Sequence, residues 1–399
     1  MSSLPEREPP QPADTRPVLG VVVSPSELAG PSPATAWHRW ADGHRAPKVQ
    51  EATLPWIHTW PEDLTMLAQL GGSEIAITLE WAELEPTQGR YLVDTIDRYR
   101  QVLEKANALG LEVWACLVDN TLPGWFEVDE RGFRDPKTRG LLWPRHVEWV
   151  GETFGDLVAG WVPQRSPVFR ALRGNLWAVA PPGRNDPARA SEEVRDTILG
   201  SYEAWRILSG GGPVAAMETF RSWHPITDNV KAERHARQLH NLTFESWMRA
   251  ITEGVVQAGD VPEVAVAPYQ GAYDRLIIEL APPAQVAGDG AITALSGSAL
   301  FEPFADNLEA VFTHADDRPI LAAGSLLAPN SHDRMGAAHV DDTFAFITEL
   351  TRSTPLVGWW QTSPIDGYHW ENGHATPGVF TAQRQATEAA NRFQHYSQR

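Results

Sequence analysis

Cysteine is almost absent from this chain, because Cys116 is the only one among 399 residues. A single cysteine excludes an internal disulfide and any zinc site built from several thiolates. Cys116 lies in the apolar stretch VWACLV, and this setting predicts a buried, unreactive thiol. We therefore expect no chemistry that depends on a cysteine nucleophile.

Long apolar runs and basic clusters are also missing. No stretch reaches the roughly 18 uninterrupted apolar residues of a membrane span, and the first residues lack the apolar core of a signal peptide. Asp and Glu number 51 against 33 Lys and Arg, a formal charge of -18, which disfavours nucleic acid and anionic membranes as partners. We expect a cytoplasmic protein, and the sequence gives no indication of its oligomeric state.

The remaining composition favours one large folded domain. Apolar residues make up 42% of the chain, which is enough for a substantial core. Residues 1–17 are rich in proline and charge, so we expect a disordered tail followed by a single domain over residues 18–399.

Short β-rich runs alternate with longer helical patterns along that domain. In the clearest unit, EIAITL is followed by a helix that Asp94 opens and Gly110 ends, and LEVWACLV supplies the next strand. The same alternation recurs to give eight strands: VLGVVV, EIAITL, LEVWACLV, AGWVP, PVAAMET, RLIIEL, RPILAA and PLVGWWQ. Residues 261–281 offer two competing strand candidates. Eight strands with helices between them predict an α/β fold of the (β/α)8, or TIM-barrel, type.

Familiar short motifs for phosphate or metal sites are not found. The glycines in 209–212 are not followed by Lys-Ser/Thr and lie between a helix and a strand, where a turn requires them. No spacing of Asp, Glu and His indicates a metal site. We expect neither a metal nor a cofactor.

Several ordered landmarks resemble family 1 glycoside hydrolases. They are ITLEWAELEPTQGRY, DRYRQVLEKANALGLEVWACL, LPGWF, FGDLVAGWV, APPG and GWWQTSPIDGYHWENG, the last of which keeps Asp366 and Trp370. The resemblance covers residues 18–399 and implies a barrel whose active site lies at the C-terminal ends of the strands.

The resemblance also implies that the catalytic glutamates of the family are replaced. Where the family has Asn-Glu-Pro after its fourth strand, this chain has Arg165, Ser166 and Pro167. Gly324 occupies the place of the nucleophile on the seventh strand. Retaining hydrolysis needs two carboxyl groups about 5–5.5 Å apart, so we expect no ordinary β-glycosidase activity.

The sugar-binding positions that the resemblance implies differ as well. Residues of other types stand at six of them, namely Glu27, Ala76, Asp119, Asn120, Thr362 and His369. These changes predict a pocket rebuilt around another ligand.

Strand alternation places Glu80 at the mouth of the barrel, one strand from Asp119, and close carboxylates raise each other's proton affinity. Together with His369 and Glu279, they are our candidates for acid/base catalysis. Candidate ligand contacts are the following side chains: Glu27, Trp81, Asn120, Arg165, Ser166, Glu218, Thr362 and Trp370. We expect a largely acidic mouth, countered mainly by Arg165 and His369, that binds a cationic or hydroxyl-rich molecule.

Three functions fit these residues. The first is a repurposed small-molecule enzyme that performs isomerisation, elimination or cyclisation on a polyol-like, sugar-like or cationic substrate. The second is a pseudoglycosidase that binds a ligand without turnover. The third is a glycosidase with relocated carboxylates.

Overall fold

The computed structural model describes residues 16–41, 56–227, 229–294, 308–309, 311–315, 318–325, 334–368 and 375–398. Its central sheet has eight parallel strands: β1 (Val18–Val23), β2 (Glu74–Thr78), β3 (Glu112–Cys116), β4 (Gly160–Val162), β5 (Ala215–Phe220), β6 (Arg275–Leu280), β7 (Ile320–Gly324) and β8 (Leu356–Thr362). All eight lie where the alternating pattern predicted them, and the expected (β/α)8 architecture is confirmed.

The sheet closes into a barrel between β4 and β5. The hydrogen-bonded order runs β4-β3-β2-β1-β8-β7-β6-β5. Parallel bridges then join Trp161 to Val214 and Arg165 to Met217, with the Ser166 amide donating to the Met217 carbonyl at 2.9 Å. The strand edges are therefore paired, as the closed form of this fold requires.

Twelve α-helices whose bounds lie entirely within described residues accompany the strands. They are α1 (Pro25–Ala29), α2 (Ala36–Ala41), α3 (Trp56–Ala68), α4 (Trp81–Leu84), α5 (Val93–Ala108), α6 (Pro136–Phe154), α7 (Pro167–Asn175), α8 (Pro187–Leu208), α9 (Val230–His240), α10 (Ser246–Glu253), α11 (Arg334–Ser353) and α12 (Glu388–Ser397). None of them offers the length of apolar surface that a bilayer crossing requires.

Helix α5 shows how the sequence sets these elements. Tyr99, Leu103 and Ala106 recur on one face and are all buried, because spacings of three and four place them towards the barrel. Gly110 follows with a φ of 82°, a left-handed conformation that glycine adopts without strain.

Short strands outside the barrel form small separate sheets. Trp223–Pro225, Ala284–Val286 and Ile292–Ala294 form one, and Gly367–Tyr368 pairs with Ala375–Thr376. Val255–Val256 pairs with Val264–Ala265. Of the two strand candidates in residues 261–281, the earlier one therefore lies outside the barrel and the later one is β6.

The barrel interior is filled by a small apolar cluster in which Cys116 is buried. Trp114 and Trp360 fill much of the space near the N-terminal ends of the strands, and the Trp360 indole donates to the Glu74 carboxylate at 2.8 Å. Arg275 completes this floor, with an ion pair to Glu74 at 2.8 Å and its guanidinium carbon 4.5 Å from the Trp114 ring centre. Among the described residues, these side chains therefore fill the N-terminal end of the barrel.

The close packing of Trp360 predicts the effect of adding one methyl group to β1. A Cβ at Gly20 would lie 2.6 Å from Trp360 Cδ1 and 2.8 Å from the Glu74 carbonyl oxygen. We expect Gly20→Ala to lower the free energy of unfolding by about 1–3 kcal/mol through overpacking. Gly140→Ala is the matched control, because nothing lies within 4 Å of its added Cβ on the exposed side of α6. Helix propensity should raise its stability by about 0.5–1 kcal/mol. Equal denaturant midpoints for the two variants would contradict this packing.

Candidate functional site

A cavity of about 230 Å³ opens at the C-terminal ends of the barrel strands. Barrels of this type place their active sites at this end, because loops after the strands converge there. The charged side chains that line it are three acids and three arginines: Glu27, Asp119, Glu279, Arg165, Arg173 and Arg221. The cavity is therefore polar and densely charged.

Arg165 is at the centre of this charged group. Its Nη1 lies 3.3 Å from both Glu27 Oε1 and Asp119 Oδ2. Its Nε and Nη2 bind the two oxygens of Glu279 at 3.1 and 2.6 Å. The side chain is only 8% exposed. One buried guanidinium therefore holds carboxyl groups that follow or belong to three different strands, β1, β3 and β6.

Glu279 is almost fully occupied by these and neighbouring donors. Besides the two Arg165 contacts, its Oε2 accepts from Ser166 Oγ at 3.1 Å and lies 3.4 Å from Thr219 Oγ1. Burial opposes ionisation, but the Arg165 guanidinium and these hydrogen bonds outweigh it, and the pKa of Glu279 lies below its ordinary value. Glu279 is therefore ionised at neutral pH.

Glu27 is held in a different electrostatic state. Its Oε1 accepts from Asn120 Nδ2 at 3.0 Å as well as from Arg165, and its Oε2 accepts from Ser363 Oγ at 3.1 Å. Burial, opposed in part by Arg165, raises the pKa of Glu27 to about 7, with the charges of Asp119 and Glu279 adding to the rise. Near neutral pH this carboxyl group exchanges a proton readily, whereas Glu279 does not.

Two of the serines in this network have left-handed backbone conformations. Ser166 has a φ of 47° and Ser363 a φ of 49°, and both lie just beyond strand ends. Such conformations cost a residue with a Cβ of order 1–3 kcal/mol and cluster at functional sites. Here each strained serine donates its hydroxyl to a cavity carboxylate, Ser166 to Glu279 and Ser363 to Glu27.

One wall of the cavity is basic and partly aromatic. Phe169 and Arg173 lie one turn apart on α7, and both line the cavity. The guanidinium carbon of Arg221 lies 5.7 Å from the centre of the Phe169 ring. We call Phe169, Arg173 and Arg221 the basic wall.

The structure brings seven of the twelve predicted site residues together at this cavity. They are Glu27, Asp119, Asn120, Arg165, Ser166, Glu279 and Thr362. Gly324, at the position that the resemblance assigned to the nucleophile, lines it too. His369 and Trp370 lie outside the described residues.

Glu80 lies behind the cavity lining. It is 4% exposed, and its oxygens accept from the Ser26 amide at 3.1 Å and from Thr121 Oγ1 at 2.9 Å. Burial, with Glu83 adding to the effect, raises the pKa of Glu80 to about 8. The strand β2 ends at Thr78, and Glu80 precedes α4, so simple alternation did not carry its side chain into the mouth.

Glu218 and Trp81 also point away from the cavity lining. Glu218 is fully buried and accepts from the Val168 amide at 3.0 Å, so it fixes the start of α7. The Trp81 ring stacks on His146 at 4.1 Å, and its Nε1 donates to Glu85 at 2.8 Å. Both residues support the walls of the site.

These placements change the expected charge of the mouth. Because Glu80 and Glu218 are elsewhere, three acids face three arginines among the described lining residues. The expectation of a largely acidic mouth countered mainly by Arg165 and His369 missed Arg173 and Arg221. Their helical and post-strand positions carry no motif, and only the folded arrangement of α7 against β5 brings them to the cavity.

We expect Arg165→Met to lose about 3–5 kcal/mol of unfolding free energy at pH 8, because three buried carboxyl groups lose their counter-charge. Arg165 lowers the pKa values of Glu27 and Glu279, so its removal raises both. In the acid range the native variant then binds more protons than its unfolded chain, so a lower pH stabilises it. Its loss of unfolding free energy relative to the wild type should therefore be smaller at pH 5 than at pH 8. Urea unfolding at both pH values checks this, with exposed Arg206→Met as control. A deficit equal at both pH values would contradict the assignment.

The buried carboxyl group of Glu80 also makes the free energy of unfolding depend on pH. Here the cause is burial of the carboxyl group itself and not the loss of a neighbouring charge. Because the pKa of Glu80 is raised in the native protein, its contribution to stability is complete when the pH is below the ordinary pKa of glutamate. This contribution decreases as the pH rises towards about 8. Glu80→Gln keeps acceptor and donor groups for Ser26 and Thr121 but cannot ionise. We expect it to match the wild type near pH 4.5 and to exceed it by roughly 5 kcal/mol at pH 9. Exposed Glu104→Gln is the control, and parallel stability curves for all three proteins would refute the expectation.

Comparisons with known proteins place this barrel in a family. The sequence model of glycosyl hydrolase family 1 matches residues 36–279. Beta-glucosidase 47 of Arabidopsis thaliana is 25% identical over 130 residues, 32% of this chain and 24% of that relative. The chain matches less than a quarter of the length of its curated relatives.

Solved structures show the same fold over nearly the whole chain. The beta-glycosidase from Pyrococcus horikoshii has a TM-score of 0.84 at 16% identity, covering 96% of this chain and 93% of that one. A beta-glucosidase from Thermotoga maritima in complex with deoxynojirimycin has a TM-score of 0.81 at 16% identity, covering 96% and 97%. With a family match over more than half of its residues, this chain belongs to glycosyl hydrolase family 1.

Proposed function

We propose that this family 1 barrel is a cytoplasmic enzyme that performs non-hydrolytic acid/base chemistry on a hydroxyl-rich small molecule. The observation that carries the proposal is the arrangement around Arg165, which contacts Glu27 and Glu279 in one cavity. Carboxyl groups whose environments push their pKa values apart are the usual partners in acid/base catalysis.

Glu27 is the proton carrier in this proposal. General acids and bases work best when their pKa lies near the working pH, and burial raises the pKa of Glu27 to about 7. Its contacts with Asn120, Arg165 and Ser363 fix its orientation towards the cavity. A proton can therefore pass between Glu27 and a bound hydroxyl or carbonyl oxygen in either direction.

Glu279 and Arg165 supply a fixed electrostatic environment. Ionised Glu279 stabilises positive charge that develops on the substrate, and preorganised charges of this kind contribute strongly to catalysis. Both of its oxygens already accept from Arg165, and Ser166 and Thr219 add further donors, which disfavours attack on an anomeric carbon. Isomerisation, elimination or cyclisation makes no such demand on the carboxylate.

The positions implied by the resemblance support a departure from retaining hydrolysis. Ser166 replaces the expected acid/base residue and donates to Glu279, and Gly324 has no side chain to attack a sugar. A polar lining of hydroxyl, amide and guanidinium groups suits a ligand with many hydroxyl groups.

The second candidate is a glycosidase with relocated carboxylates. It is favoured by one observation: the cavity holds three carboxyl groups, and a retaining mechanism requires only two at a suitable separation. A panel of aryl glycosides separates the candidates, because our proposal predicts no release of the aryl group.

The test is a screen of polyols, sugars and sugar acids followed by NMR, with Glu27→Gln beside the wild type. We expect a substrate to be converted without glycoside cleavage, and kcat to fall about 10²–10⁴-fold in the variant. Because Gln keeps the shape and hydrogen bonds of Glu27, Kd should change far less than kcat. Exposed Glu104→Gln should be as active as the wild type.

Two results would overturn the proposal. Efficient aryl glycoside hydrolysis that Glu27→Gln abolishes would establish the relocated glycosidase. Binding of these molecules with no conversion of any would instead identify a pseudoglycosidase that binds without turnover.

A further inference from the structure

We infer that the ligand of this cavity is a monoanionic, hydroxyl-rich acid whose carboxylate binds Arg173 on the basic wall. The inference rests on the proposed function and names its substrate class. It follows from how the charges of the cavity are distributed among the described residues.

Arg173 has donors to spare. Its Nη2 donates to Asn120 Oδ1 at 2.5 Å, and within the described part of the chain its Nε has no hydrogen-bond partner. No carboxylate in those ranges lies within ion-pair distance of it. A guanidinium presents its donors in a planar fork that matches a carboxylate, so Arg173 is equipped to bind one.

The acids of the cavity form their ion pairs with a different residue. Arg165 contacts Glu27, Asp119 and Glu279, and Glu279 is bound through both oxygens. Arg173 acts on Glu279 only at longer range, as a positive charge that helps to lower the pKa of that carboxyl group. It also lines a second cavity of about 30 Å³ behind α7, so it is held at the boundary between two polar spaces.

The basic wall and the carboxyl groups lie on different sides of the cavity. Phe169 and Arg173 share one face of α7, and Arg221 lies against the Phe169 ring. The carboxyl groups gather instead around Arg165. A ligand with an anionic end and several hydroxyl groups fits both sides, with the anion on the wall and the hydroxyl groups on the carboxylates.

The charge of Arg173 favours a single negative charge on that ligand. Arg173 contributes one positive charge to the cavity, and no carboxylate of the described chain is ion-paired with it. One carboxylate on the ligand matches this charge, whereas a phosphate dianion exceeds it.

The test is isothermal titration calorimetry on the full chain with D-glucuronate, D-glucose and D-glucose 6-phosphate. These probes share a sugar ring and differ in the group at one end. We expect the wild type to bind D-glucuronate about 10- to 100-fold more tightly than D-glucose, since hydrogen bonds between charged groups contribute about 1.5–3 kcal/mol. D-glucose 6-phosphate should bind more weakly than D-glucuronate.

Arg173→Met should bring the Kd values of D-glucuronate and D-glucose within about threefold of each other, because only the charged contact is removed. Arg173→Lys, which keeps the charge but not the fork, should retain part of the preference. Exposed Arg206→Met should behave as the wild type. Thermal unfolding of each variant confirms that it is folded.

Several results would overturn the inference. These are equal binding of the acid and the neutral sugar, no binding of D-glucuronate, an undiminished preference in Arg173→Met, or tighter binding of the phosphate. Conversion of neutral polyols that depends on Glu27, with no preference for acids, would overturn the inference and leave the proposed function standing. A preference for the acid that depends on Arg173, with no conversion of any molecule, would overturn the proposed function and leave this inference standing.

Discussion

The contacts of Arg165 are the interaction on which the rest of the site depends. Its backbone pairs with Met217 where β4 meets β5, and its amide donates to the Val118 carbonyl at 2.8 Å. Its side chain then binds carboxyl groups that reach the mouth from β1, β3 and β6. Burying so many acids together is costly unless a cation compensates them, and a guanidinium has enough donors to serve all three. The same residue thus helps to close the barrel and sets the electrostatics of its cavity.

The barrel was predictable from the sequence because its signal is local and repeated. Each buried strand is a short apolar run, and each helix shows spacings of three and four, as Tyr99, Leu103 and Ala106 do on α5. Residues at or just past strand ends were also placed correctly at the mouth, among them Asp119 and Glu279. Parallel strands of a barrel end together, so knowing the strand is nearly enough to locate such a residue.

Side chains beyond the regular strand pleat were less predictable. Glu80 lies where the chain leaves β2 to enter α4, and its side chain turns towards Ser26 and Thr121 behind the cavity. Glu218 binds the start of α7. Arg173 reaches the cavity from a helix, and its contribution depends on how α7 packs against the barrel. The alternation of side chains between the two faces of a strand predicts their direction only within the strand. A count of the charges in the cavity that extends this rule beyond the strand end is therefore wrong.

The central claim is that Arg165 and burial hold Glu27 and Glu279 in different protonation states within one cavity. It is tested most directly by following side-chain carboxyl carbons in ¹³C-glutamate-labelled protein by NMR as pH is varied, with signals assigned by their loss in Glu27→Gln and Glu279→Gln. The account predicts that Glu27 titrates with a midpoint near 7, while Glu279 stays ionised to below its ordinary pKa. Midpoints for both groups near the ordinary value of glutamate, about 4.3, would contradict it.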